Sequence, residues 1–165
     1  MYSINFSRHT LCDPDLARNI VQIVEKYRIP YSCIAVEILE DKRVNGEEKV
    51  TMIQNLTALK EKGILILLDD FGRGHTSFQD LAEFDVNIVK IDRSIIQNAD
   101  THKGFLLLAN IVRTARDLGF RTVCEGIETE TFKQLAKDAD CDIFQGFYFY
   151  HPMSVTQLEN LLDNQ

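Results

Sequence analysis

Two adjacent carboxylates, Asp69 and Asp70, follow the apolar run Ile64-Leu65-Ile66-Leu67-Leu68 and lead into Phe71-Gly72. Like charges at the end of a buried strand repel each other, and a cation between them relieves that repulsion. The pair therefore reads first as a divalent metal site. Further polar residues stand at or just past the ends of other apolar runs: Asn5, Glu37 and Glu40, Lys90 and Asp92, Glu125 and Glu128, and Gln145. Asn, Asp and Glu are hard oxygen donors suited to Mg²⁺, Mn²⁺ or Ca²⁺, and no His or Cys stands among them to favour zinc. Two such cations sharing a bridging Asp form a clamp suited to in-line displacement at phosphorus. Lys90, beside carboxylates, could orient and help activate an attacking water or stabilise developing charge. Gly72 and Gly74 match neither a P-loop nor a dinucleotide fingerprint, and no Ser/His/Asp set is evident.

Each residue also has a plain structural reading. Asn5 can satisfy backbone at a strand end, Lys90 and Asp92 can pair around Ile91, Glu125-Gly126 can be a turn, and Gln145 can cap a strand. Tyr148, Phe149 and Tyr150 read as packing rather than as a stacking platform. His75 and His151 read as loop residues, and Asp138, Asp140 and Asp142 as solvated loop charge without calcium-loop spacing. Glu37 sits inside an apolar run, where Glu is rarely buried unpaired. Recurrence of polar groups at six strand ends outweighs the separate structural readings.

The elements that must carry these residues alternate. Apolar, β-branched runs at Tyr2–Phe6, Cys33–Ile38, Ile64–Leu68, Val86–Ile91, Arg121–Cys124 and Ile143–Phe149 read as strands. Asp13-Pro14 opens a helix, Asn45–Lys62 forms a second that stops at Gly63, and Phe105–Leu118 stops at Gly119. Thr129–Lys137 is short and amphipathic, Phe78–Glu83 reads as a helical turn, and Ser154-x-x-Gln157 is a capping box for a helix ending near Leu162. Such alternation implies a parallel sheet with helices outside it. An open doubly wound sheet gathers its site at one switch point, whereas a barrel draws it from several strands at their C-terminal ends. Six contributing strands favour the barrel.

The chain has 165 residues, 45% hydrophobic and 26% charged, enough for one soluble domain with a sizeable core. Its net charge of −7 argues against binding DNA through basic surface. Apolar runs are too short to span a bilayer and no signal-peptide layout opens the chain, so no membrane insertion and a cytoplasmic location are expected. The four cysteines lack a C-x-x-C pair and read as reduced, packed thiols.

Six short motifs, in order along the chain, resemble those of the EAL domain, the bacterial module that linearises cyclic di-GMP. They are Asn5-Phe6-Ser7, Glu37-Ile38-Leu39-Glu40, Asp69-Asp70-Phe71-Gly72-Arg73-Gly74, Lys90-Ile91-Asp92-Arg93-Ser94, Glu125-Gly126-Ile127-Glu128-Thr129 and Gln145-Gly146-Phe147-Tyr148-Phe149. The resemblance implies a two-metal site for Mg²⁺ or Mn²⁺, with Asn5, Glu37 and Asp69 on one cation and Asp69, Asp70 and Glu125 on the other. Lys90 would position the hydrolytic water, Glu125 would serve as general base, Glu128 would support them and Gln145 would line the substrate site. Glu40 would anchor the Phe71–Ser77 loop, which in this family couples the site to dimerisation. A homodimer and an upstream sensory or GGDEF-type domain are the expected partners.

The departures from the pattern matter as much. Glu-Ala-Leu occurs nowhere in the sequence, and Leu39, Arg73 and His75 stand where Thr, Thr and Tyr are usual. Family members begin with two further strands, so the expected fold is an incomplete TIM-type (β/α)8 barrel. Residues 1–165 would form a single truncated domain of about six βα units, with the first two strands missing. One metal carboxylate would be lost with them, and sheet edges would stand open at Tyr2–Phe6 and at the last strand. The expected function is a cyclic di-GMP phosphodiesterase impaired or inactive as this isolated chain. The alternative is a degenerate cyclic di-GMP-binding or protein-interaction and dimerisation module.

Overall fold

The computed structural model describes residues 1–39, 44–73, 81 and 83–163. Among these residues six strands and six α-helices follow in the order β1 (Tyr2–Phe6), α1 (Leu16–Lys26), β2 (Ile34–Ile38), α2 (Gly46–Glu61), β3 (Leu65–Phe71), β4 (Ile88–Ile91), α3 (Arg93–Gln97), α4 (His102–Asp117), β5 (Arg121–Cys124), α5 (Glu130–Asp138), β6 (Ile143–Phe144) and α6 (Val155–Asp163). All neighbouring strands are parallel, and the sheet order is β1-β2-β3-β4-β5-β6. Sequential order without a reversal is that of a barrel wall, since a doubly wound sheet reverses at its switch point.

Period-two alternation divides the strands between two cores. Ile34, Val36, Ile38, Ile66, Leu68, Val89, Ile91 and Cys124 face the helices and share one buried cluster with Met52, Leu56 and Leu59 of α2 and with Leu108, Ile111 and Val112 of α4. Ala35, Leu67, Ile88 and Val123 form a small inner layer on the opposite face, with Leu65 and Ile143 against it. Two residues further along, on that inner face, stand Glu37, Asp69, Lys90, Glu125 and Gln145. The strands thus change from apolar filler to polar groups at one level, near the C-terminal edge of the sheet.

Several ends follow the chemistry of the local sequence. Asp13 Oδ1 accepts the Asp15 N–H at 2.9 Å before α1 begins at Leu16. Thr101 and Thr129 cap α4 and α5 through their hydroxyls. Ser154 and Gln157 form the reciprocal capping box at α6.

Four expectations are corrected. The third strand continues through Asp69 and Asp70 to Phe71, so the acid pair lies within the strand. The last strand is only Ile143–Phe144, and Tyr148, Phe149 and Tyr150 are exposed rather than packed. Helix α3 is an addition, started by Asp92. Asp142 is more than solvated charge, because it accepts the Thr122 N–H at 2.7 Å and the Thr122 hydroxyl at 2.8 Å. The Phe78–Glu83 turn lies largely outside the described residues. All four cysteines are free thiols, with Cys124 and Cys141 buried. Among the described residues, no helix is long and apolar enough to cross a membrane.

Candidate metal and phosphodiester site

Lys90 is the centre of the polar cluster. Its Nζ is ion-paired with Glu37 from β2, with Asp69 of β3 at 2.9 Å, and with Glu125, just past β5, at 2.7 Å. Lys90, Glu37 and Asp69 are only 8%, 4% and 9% exposed, which charged groups tolerate when paired in this way. Burial works against the charge on Lys90, but its hydrogen bonds to Glu125, Glu37 and Asp69 outweigh that and hold the ammonium above its ordinary range. Lys90 thus finds its partners in these three carboxylates and not in Asp92. Asp92 instead caps α3, accepting the Ser94 N–H at 2.9 Å. Burial pushes the Asp92 carboxyl up, yet Ser94 and the nearby Arg73 and Arg93 hold it below its usual value.

Asp70 reaches the cluster by a backbone irregularity. Consecutive residues of a regular strand point to opposite faces, which would send Asp70 toward the helices. The register of β3 against β4 shifts between Leu68 and Phe71, and Asp70 adopts φ 52°. Asp tolerates this left-handed conformation better than most residues, and such a bulge re-aims a side chain. Asp69, Asp70 and Glu125 consequently offer carboxylate oxygens within 4.8 Å of one another. A hard-oxygen set at that spacing fits a divalent cation. Burial, and then the Asp69 charge, raise the Asp70 pKa despite Arg73; burial likewise raises Glu125, with Asp69 and Asp70 adding to the shift and Lys90 opposing it.

The other candidates take graded places. Asn5 stands across from Glu37 in the β1–β2 register, on the exposed strand β1. Gln145 is held by its backbone, donating to the Cys124 carbonyl at 2.9 Å and accepting from the Ile127 N–H at 3.1 Å. Glu128 and Gln145 lie apart from the Lys90 ion pairs but line a cavity of about 280 Å³, together with Asp70, Asp92 and Glu125. Glu40, His75 and most of the Phe71–Ser77 loop lie outside the described residues. Gly126 permits the close approach between the Glu125 turn and α3: it has φ 71°, and a Cβ there would meet the Arg93 Cβ at 2.4 Å.

Sequence reasoning did not assign Arg73, Arg93 and Phe147 to the site, yet all three line the cavity. They bring two guanidiniums and an exposed aromatic ring, chemistry suited to phosphate and a base face. The signal available was position, since Arg93 follows the Lys90–Asp92 strand end and Phe147 follows Gln145.

Comparisons with known proteins show the family of the chain. The chain is 34% identical over 167 aligned residues to the signaling protein YkoW of Bacillus subtilis, covering 99% of this chain and 20% of that protein. It is 30% identical over 139 residues to the cyclic di-GMP phosphodiesterase RocR of Pseudomonas aeruginosa, covering 84% of this chain and 35% of that one. The chain thus spans about a fifth to a third of the length of these curated relatives. The crystal structure of the EAL domain of Mycobacterium smegmatis DcpA superposes with a TM-score of 0.91 at 26% identity, over 98% of this chain and 72% of that one. The EAL domain family model matches residues 1–152. Matched over nearly its whole length, with its polar residues gathered at one edge of a parallel barrel-type sheet, the chain belongs to the EAL domain family and is homologous to cyclic di-GMP phosphodiesterases.

Proposed function

We propose that this chain binds Mg²⁺ or Mn²⁺ on its Asp69–Asp70–Glu125 carboxylates and takes cyclic di-GMP in the adjoining cavity, as part of a phosphodiesterase that opens it to the linear dinucleotide. The observation that carries this reading is Lys90, one ammonium held by two buried carboxylates and one half-buried one from separate strand ends, beside a cavity lined by two arginines. The substrate comes from the homologous phosphodiesterase RocR.

In this reading Asn5, Glu37 and Asp69 would hold one cation, and Asp69, Asp70 and Glu125 would hold a second. When bound, the cations supply Lewis-acid stabilisation of charge on the phosphoryl oxygens. Lys90 would orient the water and stabilise developing charge through its ammonium. Glu125 would take a proton from the attacking water as the water oxygen bonds to phosphorus and the phosphorus–O3′ bond breaks, with O3′ gaining its proton from solvent. Glu128 supports the cluster and Gln145 lines the sugar–phosphate or base contact. Two copies associate through surfaces left exposed on β1, and sensory or GGDEF-type domains of a longer protein regulate the site.

Turnover by these 165 residues alone is expected to be slow, because the sequence contains no Glu-Ala-Leu carboxylate. Binding without turnover is the second reading, favoured by that same absence. The test incubates the chain with cyclic di-GMP and Mn²⁺ and follows both binding and linear product. Metal-dependent binding that Asp69→Ala abolishes supports the site, and product formation selects the enzyme over the binding module. Failure to bind even with millimolar Mn²⁺ rejects both.

A further inference from the structure

Asp70 differs from the other carboxylates of the cluster in the cation that it meets. The ion pairs of Lys90 run to Glu37, Asp69 and Glu125, whereas Asp70 Oδ2 accepts from Arg73 Nη1 at 3.2 Å. The turn delivers that guanidinium. The Arg73 N–H donates to the Asp70 carbonyl at 3.2 Å, and the intervening Gly72 has φ 104°, a conformation that glycine adopts readily. Arg73 is thereby folded back over the carboxylate three residues earlier, at the wall of the cavity. A divalent cation that draws on Asp69, Asp70 and Glu125 must share Asp70 with this guanidinium, and the two positive charges repel each other across one carboxylate.

We propose that Arg73 is an internal competitor for the divalent cation at Asp70, so that loading this position with metal requires the guanidinium to move away. The proposal rests on the metal-binding reading above. Threonine at this position would carry no charge and could not compete in this way, so the effect belongs to the arginine that this chain carries. Its size is bounded by exposure. The Arg73 side chain is 67% exposed and that of Asp70 25%, and exposed ion pairs are weak and screened by salt. The expected penalty on metal affinity is therefore a few-fold.

The test titrates the metal-free 165-residue chain with Mn²⁺, reading free Mn²⁺ by electron paramagnetic resonance, at low and at high NaCl. Wild type is compared with Arg73→Thr, Arg73→Lys and Asp69→Ala. Arg73→Thr should bind Mn²⁺ roughly two- to fivefold more tightly than wild type, with the gain shrinking at high salt. Arg73→Lys should stay near wild type because the positive charge is kept. The metal-free melting temperature of Arg73→Thr should move by no more than about 2–4 °C, which separates competition from a structural effect. Equal or weaker binding by Arg73→Thr, while Asp69→Ala still abolishes wild-type binding, overturns the competitor alone. Wild-type binding that survives Asp69→Ala, or no binding by any variant, overturns the metal site and the competitor together. Binding that appears only in Arg73→Thr supports the competitor in its strongest form.

Discussion

Removing the Lys90 side chain would leave Glu37, Asp69 and Glu125 facing one another in a largely dehydrated site. Each gives an oxygen to the same ammonium, so one deletion strands three carboxylates at once. Breaking a buried pair from one side costs about 3–5 kcal/mol. Lys90→Met should therefore destabilise the metal-free chain by about 3 kcal/mol in urea denaturation, and saturating Mn²⁺ should restore part of the loss by replacing the missing charge. Unchanged stability would show that the three carboxylates do not share one electrostatic cage. Both the type and the approximate location of these residues were legible in the sequence. Their common cation was not, because Lys90 lies 53 residues from Glu37 and 21 from Asp69, and pairing over such separations is set by strand order.

The short β5–β6 junction shows how an element is held where few residues pair. Strand β6 has only Ile143 and Phe144, opposite Val123 and Cys124. Asp142 supplements them through the Thr122 N–H and hydroxyl. Burial alone would raise this carboxyl, but the Thr122 hydrogen bonds and the nearby Arg116 and Arg121 hold its pKa below the ordinary value. A depressed carboxyl contributes stability above the unfolded-state pKa and loses it as pH falls through the folded-state value. Asp142→Ala should cost about 1 kcal/mol at pH 7. In paired urea titrations that difference should narrow as pH falls below about 4, the ordinary Asp range, and a difference that persists there would remove the ionised hydrogen bonds as its cause. The sequence suggested a longer strand through Phe149, because aromatic residues favour strands. Beyond Phe144 the backbone instead bonds to the Ile127 turn, with Tyr148 N–H donating to the Ile127 carbonyl at 2.9 Å.

At the scale of the whole molecule, the inner layer is small and the edge strand β1 is thinly covered, with Tyr2 61% and Ile4 47% exposed. Exposed edge strands carrying apolar side chains are natural templates for association. If copies meet through this surface, sedimentation velocity should reveal a concentration-dependent dimer, and Ile4→Lys should weaken it by about tenfold, the effect of losing roughly 1.4 kcal/mol. Identical profiles for wild type and variant would move the contact away from β1. The net charge of −7 bears on the same measurement, since long-range repulsion between copies is screened by salt and association should strengthen as ionic strength rises.

Hydrophobic period, caps and breakers determined the alternating elements, because those signals depend on neighbours within a few residues. The polar residues two positions beyond Ala35, Leu67, Ile88 and Val123 likewise followed from strand period, and their motifs pointed to the family. Tertiary structure decided that Asp70 joins the cluster, because its side chain turns inward only through a bulge formed against β4. It also decided that Lys90 joins three carboxylates, that Asp92 caps a helix, and that Arg73 closes on Asp70. Each depends on how strands register and turns fold back, which local sequence pattern does not specify.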